Sequence, residues 1–177
     1  MRKYLVMTVN GQDKVGLVEE VTKLVLDFNG NVEASRMARL EGEFAMLMLV
    51  SVPEPQFKTF RQSVRDLRGL GYKISTKQTE RGFSRKFAGW NVFQIKVTGA
   101  DNEGLIYEIT HHLAEKGINV ERMDTGMRPA PFGGGALFTM SAVVVVPPTI
   151  SISDLREDLE EIGDKLNMDT EVSYHSE

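Results

Sequence analysis

The sequence predicts an α+β protein built from two copies of one βαββαβ unit, each a four-stranded antiparallel sheet with two helices on one face. Three observations support this prediction: an internal repeat, the hydrophobic periodicity of each copy, and a globular composition. The chain has 177 residues, of which 41% are hydrophobic, and a formal net charge of −4. This length suits one medium domain or two small ones, and the composition excludes a disordered or collagen-like chain.

The internal repeat appears when residues 10–22 are laid over residues 98–110, an offset of 88 positions. Gly, Asp, Gly, Leu, Glu and Thr coincide between the two segments, and the same offset places the Asn-Val-Glu of 31–33 over that of 119–121. The second copy then gains six residues within the Pro- and Gly-rich segment 128–135, which is typical of a long hairpin loop. We therefore expect both halves to fold alike.

Hydrophobic periodicity divides each copy into six elements. In the first copy these are a strand at 4–9, a helix at 17–28, strands at 31–40 and 44–52, a helix at 57–67 and a strand at 72–79. In the second copy they are a strand at 90–98, a helix at 105–116, strands at 119–128 and 137–146, a helix at about 153–166 and a strand at 168–174. Ser151 with Asp154 three residues later predicts a capping box at the last helix.

The order βαββαβ with right-handed crossovers indicates the ferredoxin-like plan, in which one face of the sheet carries both helices. We assign the first domain to residues 1–80, a polar linker to 81–89 and the second domain to 90–177. The run from Phe44 to Val50 is apolar at every position, whereas a strand with one wet face should alternate. Because burying about 300 Å² of apolar area contributes roughly 7 kcal/mol, we expect this face to be covered by the other unit or by another chain, and we expect a homodimer.

Composition also limits the chemistry. The chain has no cysteine and three histidines, which excludes thiolate metal sites and leaves little material for a catalytic triad, so we expect no metal and no cofactor. The net negative charge disfavours wrapping of nucleic acid. No window reaches the roughly 20 apolar residues of a membrane span, and the first residues turn polar too soon for a signal peptide. We therefore expect a cytoplasmic protein without a membrane contact.

Two βαββαβ units that each carry Asp-x-x-Gly before the first helix and Asn-Val-Glu at the second strand resemble tandem ACT domains. Residues 31–40, 43–46 and 128–132 are similar to the glycine cleavage system transcriptional repressor group. The resemblance implies a regulatory protein without catalytic activity that senses an amino acid such as glycine. It also implies control of transcription through a protein partner, a transcription activator, rather than through direct DNA binding.

By the same resemblance, the amino acid binds between the loop after the first strand and the start of the second strand, usually at a domain interface. The residues at these positions are Gly11, Asp13, Gly16, Asn31, Val32, Gly99, Asp101, Gly104, Asn119 and Val120. A glycine at a helix N-terminus lets backbone N–H groups approach a carboxylate, and an asparagine offers both a donor and an acceptor. The aspartates would hold the ammonium group. A purely structural interpretation remains open, in which each aspartate is a helix N-cap and each asparagine a turn residue.

The two loops differ from many ACT loops, which read Asp-Arg-Pro-Gly. Here Lys14-Val15 and Asn102-Glu103 replace the Arg-Pro pair, and Gly11 and Gly99 replace a polar side chain five residues before the loop glycine. Since Glu103 adds a negative charge to the second loop, we expect the first site to bind a carboxylate better. Two alternatives are an RNA-binding ferredoxin-like module, whose aromatic signature is missing from the central strands, and a ligand-free structural adaptor. An enzyme would need a nucleophile, base and orienting group, and the sequence shows no such set.

Overall fold

The computed structural model describes residues 1–80, 86–101, 103–130 and 136–175. The chain divides into two compact units, Met1–Arg85 and Lys86–Glu177. Residues 81–85 of the expected linker, residues 131–135 of the expected hairpin loop, and Asn102 lie outside the described residues.

The first unit contains four strands and two helices in the predicted order. They are β1 (Arg2–Gln12), α1 (Leu17–Asp27), β2 (Asn31–Leu40), β3 (Glu43–Pro53), α2 (Phe57–Asp66) and β4 (Lys73–Thr79), with 3-10 turns at Glu54–Gln56 and Leu67–Leu70. The sheet order is β2-β3-β1-β4, and all neighbouring strands are antiparallel.

The second unit repeats this plan. Its elements are β5 (Asn91–Ala100), α3 (Leu105–Glu115), β6 (Asn119–Pro129), β7 (Ala136–Val146), α4 (Ile152–Leu166) and β8 (Met168–Tyr174). The sheet order is β6-β7-β5-β8, again antiparallel throughout. The predicted capping box is present, since the Ser151 hydroxyl accepts from the Asp154 N–H and the Asp154 carboxylate accepts from the Ser151 N–H. The ferredoxin-like α+β fold class is thereby confirmed.

Each core lies between the sheet and its two helices. In the first unit, Leu5, Met7 and Val9 of β1 are fully buried and pack with Val21 of α1 and Phe60 of α2. In the second unit, the corresponding buried residues are Phe93, Ile95, Val97, Ile109 and Leu155. Alternation along the strands directs the next residues to the opposite face of each sheet.

That opposite face differs between the units. On β3 the alternate residues Ala45, Leu47 and Leu49 point away from the helices, and Leu47 is 47% exposed. The equivalents of Ala45 and Leu47 on β7 are Thr139 and Ser141. The continuous apolar run of β3 therefore supplies the core with one half of its residues and the open face of the first unit with the other half.

Candidate functional site

The loop between β1 and α1 ends in a glycine that begins the helix. Gly16 is the N-cap of α1 with a φ of 90°, and Gly104 is the N-cap of α3 with a φ of 84°. A side chain is disfavoured there by the left-handed backbone and not by lack of space, since no atom lies within 4 Å of an added Cβ at either glycine. Neither helix has a side-chain cap. At α1 the Leu17 N–H donates to the Lys14 carbonyl at 3.4 Å, so the N–H groups left for an external acceptor are those of the next residues of the first turn.

The two loop aspartates do not cap the helices, so the expected N-cap role of these aspartates is wrong. The backbone N–H of Asp13 instead donates to the carbonyl of Gly42 at 2.9 Å, and its carboxylate lies 3.9 Å from the guanidinium of Arg39. These contacts connect the loop to the end of β2. Asp101 follows β5 and is exposed.

A lysine, a glutamate and a tyrosine hold the loop of the first unit. Lys14 Nζ lies 3.0 Å from Glu20 Oε1, and the Tyr72 hydroxyl donates to Glu20 Oε2 at 2.9 Å. Lys14 also lies 5.0 Å from the centre of the Tyr72 ring. The contacts with Lys14 and then Tyr72 lower the pKa of Glu20, and those with Tyr72 and then Glu20 raise the pKa of Lys14. Tyr72 lies 52 residues from Glu20, so no local pattern could have predicted this contact.

Gly11 and Gly99 lie within strands rather than in the loops. A Cβ at Gly11 would lie 3.2 Å from the Tyr72 ring, and a Cβ at Gly99 would lie 2.5 Å from Met168 Sδ and 2.8 Å from the Asn167 carbonyl. Close packing against the start of the last strand of each unit therefore explains why both positions are glycine.

Asn31 belongs to a polar network at the opposite end of the first sheet. Its side-chain N–H group donates to Glu33 Oε1 at 3.3 Å, and the same oxygen accepts from the hydroxyl of Ser51 at 2.5 Å. Arg2 donates to the Ser51 hydroxyl at 2.9 Å, to the Ser51 carbonyl at 2.8 Å and to the Asn29 carbonyl at 3.1 Å. Ser51 is fully buried, so this network is part of the structure of the unit. Sequence reasoning missed Arg2 and Ser51, whose contact spans 49 residues.

The Asn-Val-Glu motif has a structural role in both units, where it forms a β-bulge. The register shifts between Val32 and Ala34 in β2 and between Val120 and Arg122 in β6, so the glutamate of each motif is the extra residue of a β-bulge. Val32 and Val120 pack against the cores. Asn119 makes a 3.5 Å contact to the Val120 carbonyl.

Within one unit, the loop residues and the motif residues lie at opposite ends of the sheet. Asn31 pairs with Ser51, which pairs with Tyr4 near the start of β1, whereas Gly16 follows Gln12 at the end of β1. Eight residues separate these two rows, about 26 Å at 3.3 Å per residue. The second unit has the same arrangement, with Asn119 opposite the row of Val92 and Gly104 beyond Ala100. One unit therefore does not bring Gly16 and Asn31 around a single small ligand.

A depression of about 460 Å³ lies on the open face of the first unit, near the loop end of the sheet. Its wall includes Gly11, Asn10, Leu40 and Lys73, and Gly11 is the predicted site residue in it. Among residues 1–80, 86–101, 103–130 and 136–175, no group of three or more His, Asp or Glu side chains is placed to hold a metal ion. No helix in the described part of the chain is long and apolar enough to cross a bilayer.

Comparison with known proteins supports the sequence interpretation. The ACT-domain sequence profile matches residues 3–75. The UPF0237 protein of Methanosarcina mazei is 30% identical over 74 residues, which are 41% of this chain and 79% of that protein. The glycine cleavage system transcriptional repressor of Escherichia coli is 44% identical over 48 residues, which are 27% of this chain and 25% of that protein.

Two solved structures resemble the whole chain. An unknown protein from Galdieria sulphuraria is 29% identical with a TM-score of 0.84, covering 99% of this chain and 100% of that one. A candidate glycine cleavage system transcriptional repressor is 21% identical with a TM-score of 0.68, covering 100% of this chain and 99% of that one, and this likeness concerns the fold alone. With its repeated fold and these relatives, the chain belongs to the ACT-domain family.

Proposed function

We propose that this protein is a non-catalytic regulatory protein that binds a free amino acid, such as glycine, at its first unit. The observation that carries the proposal is the uncapped N-terminus of α1 at Gly16, where backbone N–H groups and the helix dipole favour a carboxylate. Glu20 lies in the same first turn, but Lys14 and Tyr72 already hold its carboxylate. The Lys14 charge offsets that of Glu20 beside the ligand.

Asn31 supplies the second half of the proposed site. Its side-chain N–H group donates to Glu33, and in the proposed site its side-chain carbonyl oxygen accepts from the ammonium group. The Arg2 and Ser51 contacts fix Glu33 and so fix the orientation of the Asn31 amide. Asp13 lies in the β1–α1 loop, at the Gly16 end of the sheet. It remains part of the proposal as a second acceptor for the ammonium group.

A ligand that touches both Gly16 and Asn31 requires two copies of the chain. β2 is an edge strand whose outer side is unpaired within the unit, and its end at Leu40 lies beside the β1–α1 loop through the Asp13–Gly42 hydrogen bond. If the β2 strands of two copies pair in antiparallel fashion, the start of one β2 meets the end of the other. Asn31 of one copy then lies beside the Gly16 loop of the second, and a symmetric homodimer has two such sites.

The size of the ligand sets the affinity that this site can reach. With a ceiling of about 1.5 kcal/mol per heavy atom, glycine can gain at most about 7.5 kcal/mol, which corresponds to a dissociation constant in the micromolar range. Such an affinity suits a sensor of cellular amino acid pools, and a cytoplasmic location is part of the same proposal. Since the ligand would bind between two copies, it would favour the dimer and change the surface offered to a protein partner.

Transcriptional control through a protein partner is the last part of the proposal. Its support is the similarity to the Escherichia coli glycine cleavage system transcriptional repressor, which covers a quarter of that protein. The net charge of −4 argues against direct DNA binding. If the purified chain retarded DNA with a steep salt dependence, control through a protein partner would be the wrong interpretation.

Calorimetric titration of the twenty amino acids into the full chain tests the binding proposal. We expect saturable binding of glycine or another small amino acid, and a large loss of affinity in Asn31→Ala. Leu26→Ala is a matched control, since Leu26 is an exposed residue at the far end of α1, away from Gly16. A flat response to all twenty amino acids would contradict the proposal and leave a ligand-free structural adaptor.

A further inference from the structure

A groove on the first unit has cationic side chains in its walls and no acidic one. It has a volume of about 710 Å³ and lies between the outer face of α2 and the edge strand β4. Its walls are formed by Phe57, Lys58, Thr59, Arg61, Gln62, Arg65 and Gln78. Three of these side chains are cationic and none is acidic.

The three cations have no partners of their own. In the described part of the chain, no hydrogen bond or ion pair is formed by the side chains of Lys58, Arg61 or Arg65. Of the acids at the two ends of α2, Glu54 pairs with Lys3 at 3.1 Å. Asp66 is not a wall residue of the groove, and it accepts from the wall residue Gln62 at 3.3 Å. Since Arg61 and Arg65 are one helical turn apart, their like charges disfavour the helix unless an anion balances them.

Arg61 carries an unsatisfied donor. Its Nε atom is shielded from solvent and has no hydrogen-bond partner. Leaving a buried N–H group unpaired is costly, and native structures rarely tolerate it without a reason. An acceptor atom placed in the groove would satisfy this donor.

The second unit shows that the fold does not require this arrangement. Arg156 occupies the position of Arg61, and its Nη2 donates to the Val172 carbonyl at 2.9 Å. The residues around it that correspond to Lys58, Gln62 and Arg65 are Ser153, Glu157 and Glu160. The correspondence follows from the buried residues of the two helices, in which Leu155 and Leu159 match Phe60 and Val64. The cationic groove is therefore particular to the first unit.

We propose that this groove binds a small multivalent anion, one that carries phosphate groups or several carboxylates. Arg61 and Arg65 offer planar donor pairs that match such groups, Lys58 adds a point charge, and Thr59 and Gln78 add neutral donors. The volume is within the range of small-molecule sites. Gly16 and Asn31 do not line the groove, so this inference is independent of the proposed amino-acid site.

Titration calorimetry on the full chain tests the inference, with pyrophosphate and citrate as probes and sodium chloride used to hold the ionic strength constant. We expect saturable binding of at least one probe, and about tenfold weaker binding in Arg61→Gln and Lys58→Gln, the loss of one charge-assisted contact. The preferred probe identifies the chemistry: pyrophosphate indicates phosphate groups and citrate indicates carboxylates. Lys23→Gln is the charge-matched control, because Lys23 lies on α1 outside the groove and is 66% exposed.

Three results would overturn the inference: no saturable binding of either probe, unchanged affinity in both groove variants, or an equal loss in Lys23→Gln. Far-UV circular dichroism checks that each variant is folded, and Lys58→Gln carries the test if Arg61→Gln does not fold. If the affinity for both probes is unchanged but the sedimentation coefficient of the groove variants differs from that of the wild type, the groove is instead a contact with an acidic protein surface.

Discussion

Asn31 and Gly16 lie at opposite ends of the same sheet, separated by the length of β1. Asn31 is opposite Ser51 and the row of Tyr4, whereas Gly16 follows the Gln12–Glu43 pair at the other end. An amino acid is far shorter than this separation of about 26 Å. This separation is the reason why the site that we propose requires two copies of the chain.

Charge at the loop glycine should decide carboxylate binding. Gly16 has a positive φ, which aspartate tolerates better than most residues do. Gly16→Asp therefore adds mainly a negative charge at the place where the carboxylate is proposed to bind. We expect at least about a tenfold loss of amino-acid affinity by calorimetry, comparable to one lost charge-assisted contact. Gly16→Asn is the matched control, since it has the same shape without the charge. Equal affinity in the two variants would remove the α1 N-terminus from the proposed site.

The polar network at Ser51 should contribute to the stability of the first unit. Ser51→Val, which copies Val145 of the second unit, removes the hydroxyl that joins Arg2 to Glu33. We expect a loss of about 1–3 kcal/mol in the free energy of unfolding, because polar groups lose their partners in a fully buried position. Urea denaturation measures this loss. Ser75→Ala, at an exposed hydrogen bond to Thr8, should change stability by less than about 0.5 kcal/mol. A neutral Ser51→Val would show that the network adds nothing.

Stability should depend on Glu20 at acidic pH. Lys14 and Tyr72 hold the pKa of Glu20 below its ordinary value of 4.5, so the folded state favours the carboxylate. The resulting stabilisation is present above the ordinary pKa and is lost as the pH falls through the lower pKa of the folded state. Thermal unfolding from neutral to acidic pH should therefore show a smaller loss of stability in Glu20→Gln than in the wild type. Tyr72→Phe should lie between the two, and parallel curves for all three proteins would contradict this assignment.

Close packing should make Gly99 intolerant of a side chain. A Cβ there would lie 2.5 Å from Met168 Sδ and 2.8 Å from the Asn167 carbonyl, and the backbone oxygen cannot move freely. Gly99→Ala should lower the free energy of unfolding by about 1–3 kcal/mol through overpacking. Gly126→Ala is the control, since no atom lies within 4 Å of its added Cβ. If urea denaturation gives the same stability for both variants, Gly99 serves some purpose other than packing.

The elements and their order were accessible from the sequence because they rest on local information. The periodicity of α1 and the Ser151 capping box are both encoded within a few residues. β1 is longer than predicted, reaching Arg2 and Gln12, because β3 pairs with it along its whole length. Pairing with neighbouring strands extends a strand beyond its apolar run.

The candidate site was less accessible because its geometry is tertiary. Local motifs indicate that Gly16 and Asn31 belong to the candidate site, but they do not predict the distance between these two residues. Arg2 and Ser51 contact each other near Asn31, and Tyr72 contacts Glu20 near the Gly16 loop. Each contact spans about 50 residues, and no spacing rule predicts either of them. The role of Glu33 as a bulge residue likewise becomes visible only from the register of β2 against β3.

Mixing two defective variants tests the shared site most directly. Asn31→Ala and Gly16→Asp chains, both carrying Asn119→Ala to silence the second unit, are unfolded together and refolded at equal amounts, and amino-acid binding is measured by calorimetry. Random pairing makes half of the dimers mixed, and each mixed dimer has one intact site of two, so about a quarter of the wild-type binding capacity should return. No recovery in the mixture, with either variant inactive alone, would contradict a site built from two copies.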